Sequence, residues 1–139
     1  MASDNTMRVE IITPDDLAFE SDAKFVLARA TDGDLGILPL HAPMVAALSV
    51  WPVRIDTPGG ESKKIAVFGG FMKVDPETVR IVTPHCEMAA TIDLARAERA
   101  KERAESRLAA RDESVDVARA EAALRRAVTR IDVVSALKK

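Results

Sequence analysis

The sequence predicts two bodies in tandem, an all-β sandwich or barrel over residues 7–90 and an antiparallel helical hairpin over residues 91–139. Three observations carry this. All six glycines and all seven prolines lie before residue 91, and these residues punctuate turns. Turn signals in that first part recur about every 8–12 residues, and no stretch long enough for a helix has a 3.6-residue apolar period. Residues 91–139 are instead rich in Ala, Arg and Glu, which favour helix. The first six residues precede any pattern and are expected to be flexible.

The strands follow in order. In MRVEII (7–12), Arg8 and Glu10 alternate with Val9 and Ile11, and KFVLARA (24–30) alternates similarly. VRID (53–56) and KKIAVF (63–68) flank TPGGES, where Pro58, Gly59 and Gly60 set a turn. FMKVD (71–75) and TVRIVT (78–83) flank Pro76-Glu77 as a second hairpin. The first helix is expected from about Asp93 to Ala110 and the second from about Val115 to Ala136. RDES (111–114) breaks them, with Ser114 as N-cap and Asp116 in the first turn. The second helix has an apolar stripe of Val117, Ala120, Leu124, Ala127, Ile131 and Val134. The first faces it largely with alanine, so the axes come close but little area is buried. At about 25 cal/mol per Å² such a seam holds weakly, and the hairpin is expected to detach or rearrange.

Composition excludes several classes. The single Cys86 allows no intrachain disulfide, which fits a reducing compartment. No apolar run reaches the roughly 18 residues a membrane span needs, so no direct membrane insertion is expected. MASDNTMRVE lacks the basic and apolar regions of a signal peptide. No phosphate-cradling glycine loop and no nucleophile elbow appears. The histidines are His41 and His85, and with one cysteine they make no metal cluster. His85 and Cys86 are adjacent, so on a strand they point to opposite faces. Cys86 reads as a small hydrophobe. With no tyrosine, one tryptophan and four phenylalanines, a base-stacking platform is poorly supported. The chain is therefore expected to be non-catalytic and not to bind nucleic acid.

Charge is segregated. Residues 1–90 carry 8 Lys+Arg against 13 Asp+Glu, and residues 91–139 carry 12 against 9. A helix turns about 100° per residue, so Arg96, Arg99, Arg103 and Arg107 share one stripe, roughly opposite Glu98, Glu102 and Glu105. Arg119, Arg126 and Arg130 make a second stripe. With the apolar faces together and one helix reversed, both stripes land on the same side of the hairpin. A solvated charged face would account for this, but stripes of one sign are less usual than mixed i,i+4 pairs and point to an anionic partner.

GDLGILPLHAPMVAAL (33–48) is a constrained loop. Gly33 and Gly36 permit positive φ, and Pro39 and Pro43 fix φ. It presents Asp34, Ile37, Leu38, Leu40, His41 and Met44 either for packing on its own core or as a stiff docking loop.

GDLGILPLHAPM resembles the G-[ED]-L-G-I-x-P-G-H-A-P signature of the epsilon subunits of F-type ATP synthases. VFGGFMKVDPETVRIVT (67–83) is similar to that family's second landmark, IDLARA (92–97) to its I/L-D-x-x-R-A motif, and LRRAVTRIDV (124–133) to its end. The resemblance covers about residues 7–134. One departure is Leu40, where the family has glycine; if that position needs positive φ, leucine is strained.

The resemblance implies a sandwich of about ten strands followed by the hairpin. It also implies a non-catalytic rotor subunit that touches the gamma subunit and the ring of c subunits. The hairpin would lie against the sandwich or extend toward the catalytic beta (and alpha) subunits and inhibit ATP hydrolysis. Its location would be peripheral, on the cytoplasmic face of a bacterial inner membrane. No cofactor is required. Some family members bind regulatory ATP in the folded-down hairpin, and the matching positions here are Glu87, Asp93, Arg96, Arg103, Arg126 and Arg130. Asp93 would accept from ribose hydroxyls, hold Arg96, or simply cap its helix. Arg99, Arg107 and Arg119 complete the basic side.

Overall fold

Residues 6–110 and 112–136 are described by a computed structural model of the chain. Their strands are β1 (Met7–Ile12), β2 (Leu17–Ala23), β3 (Phe25–Ala30), β4 (Gly33–Ile37), β5 (Met44–Asp56), β6 (Ser62–Val74), β7 (Thr78–Val82) and β8 (Cys86–Met88). A 3₁₀ turn at Ala89–Thr91 leads to helices α1 (Leu94–Ala110) and α2 (Val117–Ser135). The flexible stretch expected at residues 1–6 lies, but for Thr6, outside the described residues. Arg111, placed by the sequence reading in the helix break, also lies outside them.

The sandwich is made by folding one sheet, ordered β2-β1-β7-β6-β5-β3-β4 with β8 on β6. Its long strands β5 and β6 are paired from Met44↔Val74 to Asp56↔Ser62. Burial parity shows where they turn. In β5, Leu48 is buried before the corner, but Val53 and Ile55 after it. In β6, Ile65 and Val67 are buried before Gly69-Gly70, but Met72 and Val74 after it. Since strand side chains alternate in strict period two, a parity switch at one level in both strands means each passes from one layer to the other. The first layer is β2-β1-β7 with the Met44–Leu48 and Phe71–Val74 segments, and the second is β4-β3 with the remaining halves and β8. Counting the halves separately gives five strands per layer, matching the ten expected.

The corner depends on Gly69 (φ +86) and Gly70 (φ +103), a backbone region that side chains rarely adopt. The core between the layers holds Met7, Val9, Ile11, Val26, Ile37, Val53, Ile55, Ile65, Met72, Val79 and Ile81.

Several expectations are corrected. The segments read as VRID and FMKVD are parts of 13-residue strands, and β2, β4 and β8 were not anticipated. Asp116, not Ser114, caps α2, its side chain accepting from the Arg119 amide at 3.1 Å. The connection before α2 is tightened by Asp112, whose carboxylate accepts from the Ser114 amide at 3.0 Å.

Leu40 stands at φ +67 with its side chain 68% exposed. Its amide donates to the Pro76 carbonyl at 2.8 Å, which fixes the strained turn against the β6–β7 connection. Left-handed backbone costs a non-glycine residue about 1–2 kcal/mol, and the exposed side chain returns little packing. Leu40→Gly is expected to raise stability by about 0.5–1 kcal/mol after the extra unfolded-state entropy of glycine. The urea midpoint measures it, and an unchanged or lower midpoint would contradict the strain.

Candidate functional site

The hairpin lies folded down, with α2 packed on the outer face of the second layer. Its inner seam is alanine. Ala97 and Ala104 of α1 and Ala120 and Ala127 of α2 are all buried, and their equal seven-residue spacing lets two antiparallel pairs meet. A different edge of α2, carrying the buried Thr129 and Val133, faces the sandwich. Thr129 Oγ1 donates to the Arg125 carbonyl at 2.7 Å and lies 3.4 Å from that of Val50. Lys64 of β6 pairs with Asp132 at 3.1 Å. Pro52 and Ala66, partners on this covered face, are buried.

The strongest polar contact between the two bodies centres on Glu87 of β8. Arg130 grips it with two bonds, Nε to Oε1 at 2.8 Å and Nη2 to Oε2 at 3.0 Å. His85 Nε2 lies 2.8 Å from Oε2. The Arg130 guanidinium sits over the Phe68 ring, 4.8 Å from its centre, and Phe68 contacts the His85 ring at 5.3 Å. The local fold makes this cluster: Ala66 pairs with Glu87 across β6 and β8, and the Phe68 amide donates to the His85 carbonyl. Such a fork-to-fork pair is charge-assisted and directional. Burial alone would raise the Glu87 carboxyl, but the bonds and charge of Arg130 and His85 outweigh it and hold it below the usual carboxylate range. The neighbouring Cys86 thiol is pushed up by burial, helped by Asp16 and Glu87. It packs against the core rather than serving as a nucleophile.

Of the six residues expected to meet a nucleotide, the fold brings Glu87 and Arg130 together. Asp93 is the N-cap of α1, its Oδ1 accepting from the Arg96 amide at 3.1 Å. Arg96, Arg103 and Arg126 are exposed, and none has an ion pair among the described residues. On the remaining basic side, Arg107 and Arg119 line a cavity of about 430 Å³ with Asp116. Arg99, Arg103 and Arg107 line a groove of about 520 Å³ with Glu102. The two arginine stripes thus meet near the hairpin tip.

The expected docking loop divides. Ile37 is fully buried in the core and Met44 packs against it, because both belong to the alternating inward sets of β4 and β5. Asp34 is bound to Arg29 at 2.8 Å, and His41 Nδ1 contacts the Ala42 carbonyl at 2.7 Å. Leu38 and Leu40 remain exposed. The sequence reading missed an apolar strip on the outer face of the first layer. Phe71, opposite both Ala47 and Val82, is 59% exposed, with exposed Val45 beside it. The available signal was parity, since Phe71 and Lys73 face away from the buried Met72 and Val74.

Comparison with known proteins agrees with this architecture. The family described as ATP synthase, Delta/Epsilon chain, beta-sandwich domain matches residues 6–89. The corresponding long alpha-helix domain matches residues 91–135. An ATP synthase epsilon chain of Alkalihalophilus pseudofirmus is 45% identical over 132 residues, 94% of this chain and 98% of its own. That of Brevibacillus brevis is 46% identical, covering 91% of this chain and 96% of the relative. A chain in the cryo-EM structure of Euglena gracilis mitochondrial ATP synthase shares the fold with TM-score 0.79. It is 20% identical and covers 100% of this chain and 85% of that one.

Proposed function

The chain belongs to the delta/epsilon family of ATP synthase subunits, and on that premise we propose that it is a non-catalytic rotor subunit whose hairpin brakes ATP hydrolysis. The observation that carries this is the division of labour between the two sandwich faces. One outer face is free of the hairpin and shows an apolar strip of Val45, Phe71 and Val82 beside the charged Glu10, Lys73 and Arg80, an apolar strip with a polar rim that favours a protein partner. The other carries the hairpin through one bidentate ion pair, one lysine pair and the edge of α2 that buries Thr129 and Val133.

In this reading the hairpin-free face and the Leu38–Leu40 corner dock on the gamma subunit and the c-subunit ring. The extended hairpin turns Arg99, Arg103, Arg107 and Arg119 toward acidic surface on the catalytic beta and alpha subunits. The subunit is peripheral, on the cytoplasmic face of a bacterial inner membrane. No helix among the described residues is long and apolar enough to cross a membrane. No cofactor is needed for these roles.

A second role, as a sensor of regulatory ATP, is favoured by the Glu87–Arg130 pair, by the exposed Arg126 one helical turn before Arg130, and by Arg96 and Arg103 exposed on α1. ATP would occupy that side and hold the hairpin down, with no nucleic acid involved.

Phe71→Glu tests the first reading, because it would bury an unpaired charge in the docking face. It is expected to weaken the complex with gamma by at least about 100-fold, roughly 3 kcal/mol, while leaving the isolated fold intact. Full-strength association would refute the assignment of that face. Calorimetric titration with ATP, beside Arg126→Ala, tests the second. Saturable binding that the variant loses supports it, and no binding at several millimolar removes it.

A further inference from the structure

A cavity of about 580 Å³ opens where the sheet turns its corner, lined by Arg29, Thr31, Asp34, Ser49, Trp51 and Arg125. It is separate from the Glu87–Arg130 cluster and built from both bodies: Arg125 comes from α2, the remaining residues from the sandwich. Arg29 stacks over the Trp51 ring at 3.9 Å from its centre and is held by Asp34 at 2.8 Å. The Ser49 hydroxyl has only a long contact to the Ala30 carbonyl, 3.4 Å. Arg125 has no ion pair among the described residues.

We propose that this cavity is a second anion site, taking a phosphate group carried on a small organic body and closing only when the hairpin is down. The charged groups facing it are Arg29, Arg125 and Asp34. Asp34 is spent on Arg29, leaving the guanidinium of Arg125 to supply the uncompensated charge. Planar guanidinium forks match phosphate oxygens, and the hydroxyls of Thr31 and Ser49 stand by as further donors. The volume exceeds that of a bare phosphate and falls within the range of small-molecule sites. A ligand needing both Arg29 and Arg125 binds only the folded-down state. At ten times its dissociation constant it would therefore raise the ratio of docked to undocked hairpin about elevenfold.

Trp51 is the only tryptophan and lines this cavity as well as a smaller one beside Lys64 and Asp132, so its fluorescence is read together with the Arg125 and Arg126 variants. The full chain is titrated with pyrophosphate at constant ionic strength, with sodium chloride as the control. A saturable change below about 1 mM is expected, weakened at least tenfold in Arg125→Gln and retained in Arg126→Ala, whose side chain belongs to the other arginine set. Amide exchange across α2 should slow in step. A response that sodium chloride reproduces, or that Arg125→Gln leaves unchanged, overturns the proposal, and so does the absence of any response to either probe. Vesicles of phosphatidylglycerol in phosphatidylcholine form the second arm. A saturable, Arg125-dependent change with these and none with pyrophosphate identifies the phosphate as a lipid headgroup.

Discussion

Gly70→Ala is expected to destabilise the protein by about 4 kcal/mol, and Gly69→Ala by only about 1–2 kcal/mol, though the two glycines are neighbours at the same corner. Both hold positive φ, so both variants carry backbone strain of about 1–3 kcal/mol. The difference is space. A Cβ at Gly69 meets nothing nearer than the Leu48 carbonyl at 3.8 Å. One at Gly70 would stand 2.0 Å from the Val82 carbonyl oxygen and 2.9 Å from Thr83 Cα. These are backbone atoms and cannot rotate away, so an overpacking penalty of about 1–3 kcal/mol adds to the strain. The displacement would also reach the hairpin dock. Thr83 is 2% exposed, its amide donates to Ile12 at 3.0 Å, and its hydroxyl donates to the His85 carbonyl at 3.0 Å. Pushing it moves the segment that presents His85 and Glu87. Urea unfolding of the two variants decides the matter, and equal losses would show that φ alone governs the corner.

That corner also marks how far the sequence could be read. The alternation in MRVEII and the concentration of glycine and proline before residue 91 are local signals, and they located β1 and the change of architecture. The passage of β5 and β6 between layers was not local. Met72 and Val74 face the core because Gly69-Gly70 turns the strand, and a period-two reading of either half alone does not connect the halves. For the same reason Ile37 and Met44 read as loop residues, although their registers put them in the core. The helix termini were legible to within about two residues, but Asp112 took the turn that seemed to make Ser114 a cap. Arg130 was singled out by stripe geometry and resemblance. Its grip on Glu87, 43 residues away in sequence, depends on where α2 docks, which nothing local specifies.

That grip carries the second large effect expected. Arg130→Ala should shift the hairpin toward the undocked state by about 2 kcal/mol, roughly 30-fold. Removing one member of a buried pair typically costs about 3–5 kcal/mol. The discount reflects the side-chain exposure of the two partners, 30% for Arg130 and 19% for Glu87. Amide exchange in α2 should accelerate about 30-fold while β1, β6 and β7 keep their protection. Most of the effect is the cost of leaving Glu87 half-buried without its fork, so adding Glu87→Gln to Arg130→Ala should restore part of the loss. A double variant as damaged as the sum of the singles would mean the two residues act independently. Acid supplies a second check of the same contact. Glu87 is held below its unfolded value, so its contribution is complete above the ordinary glutamate range, about pH 4.3. It is lost as pH falls through the lowered folded value, because the unfolded chain then binds the proton more readily. Wild-type α2 should therefore lose protection on that acid limb. Arg130→Ala should flatten the limb, since the group that chiefly offsets the burial of Glu87 is gone. A limb of undiminished depth in the variant would show that the acid sensitivity does not come from the Glu87–Arg130 contact.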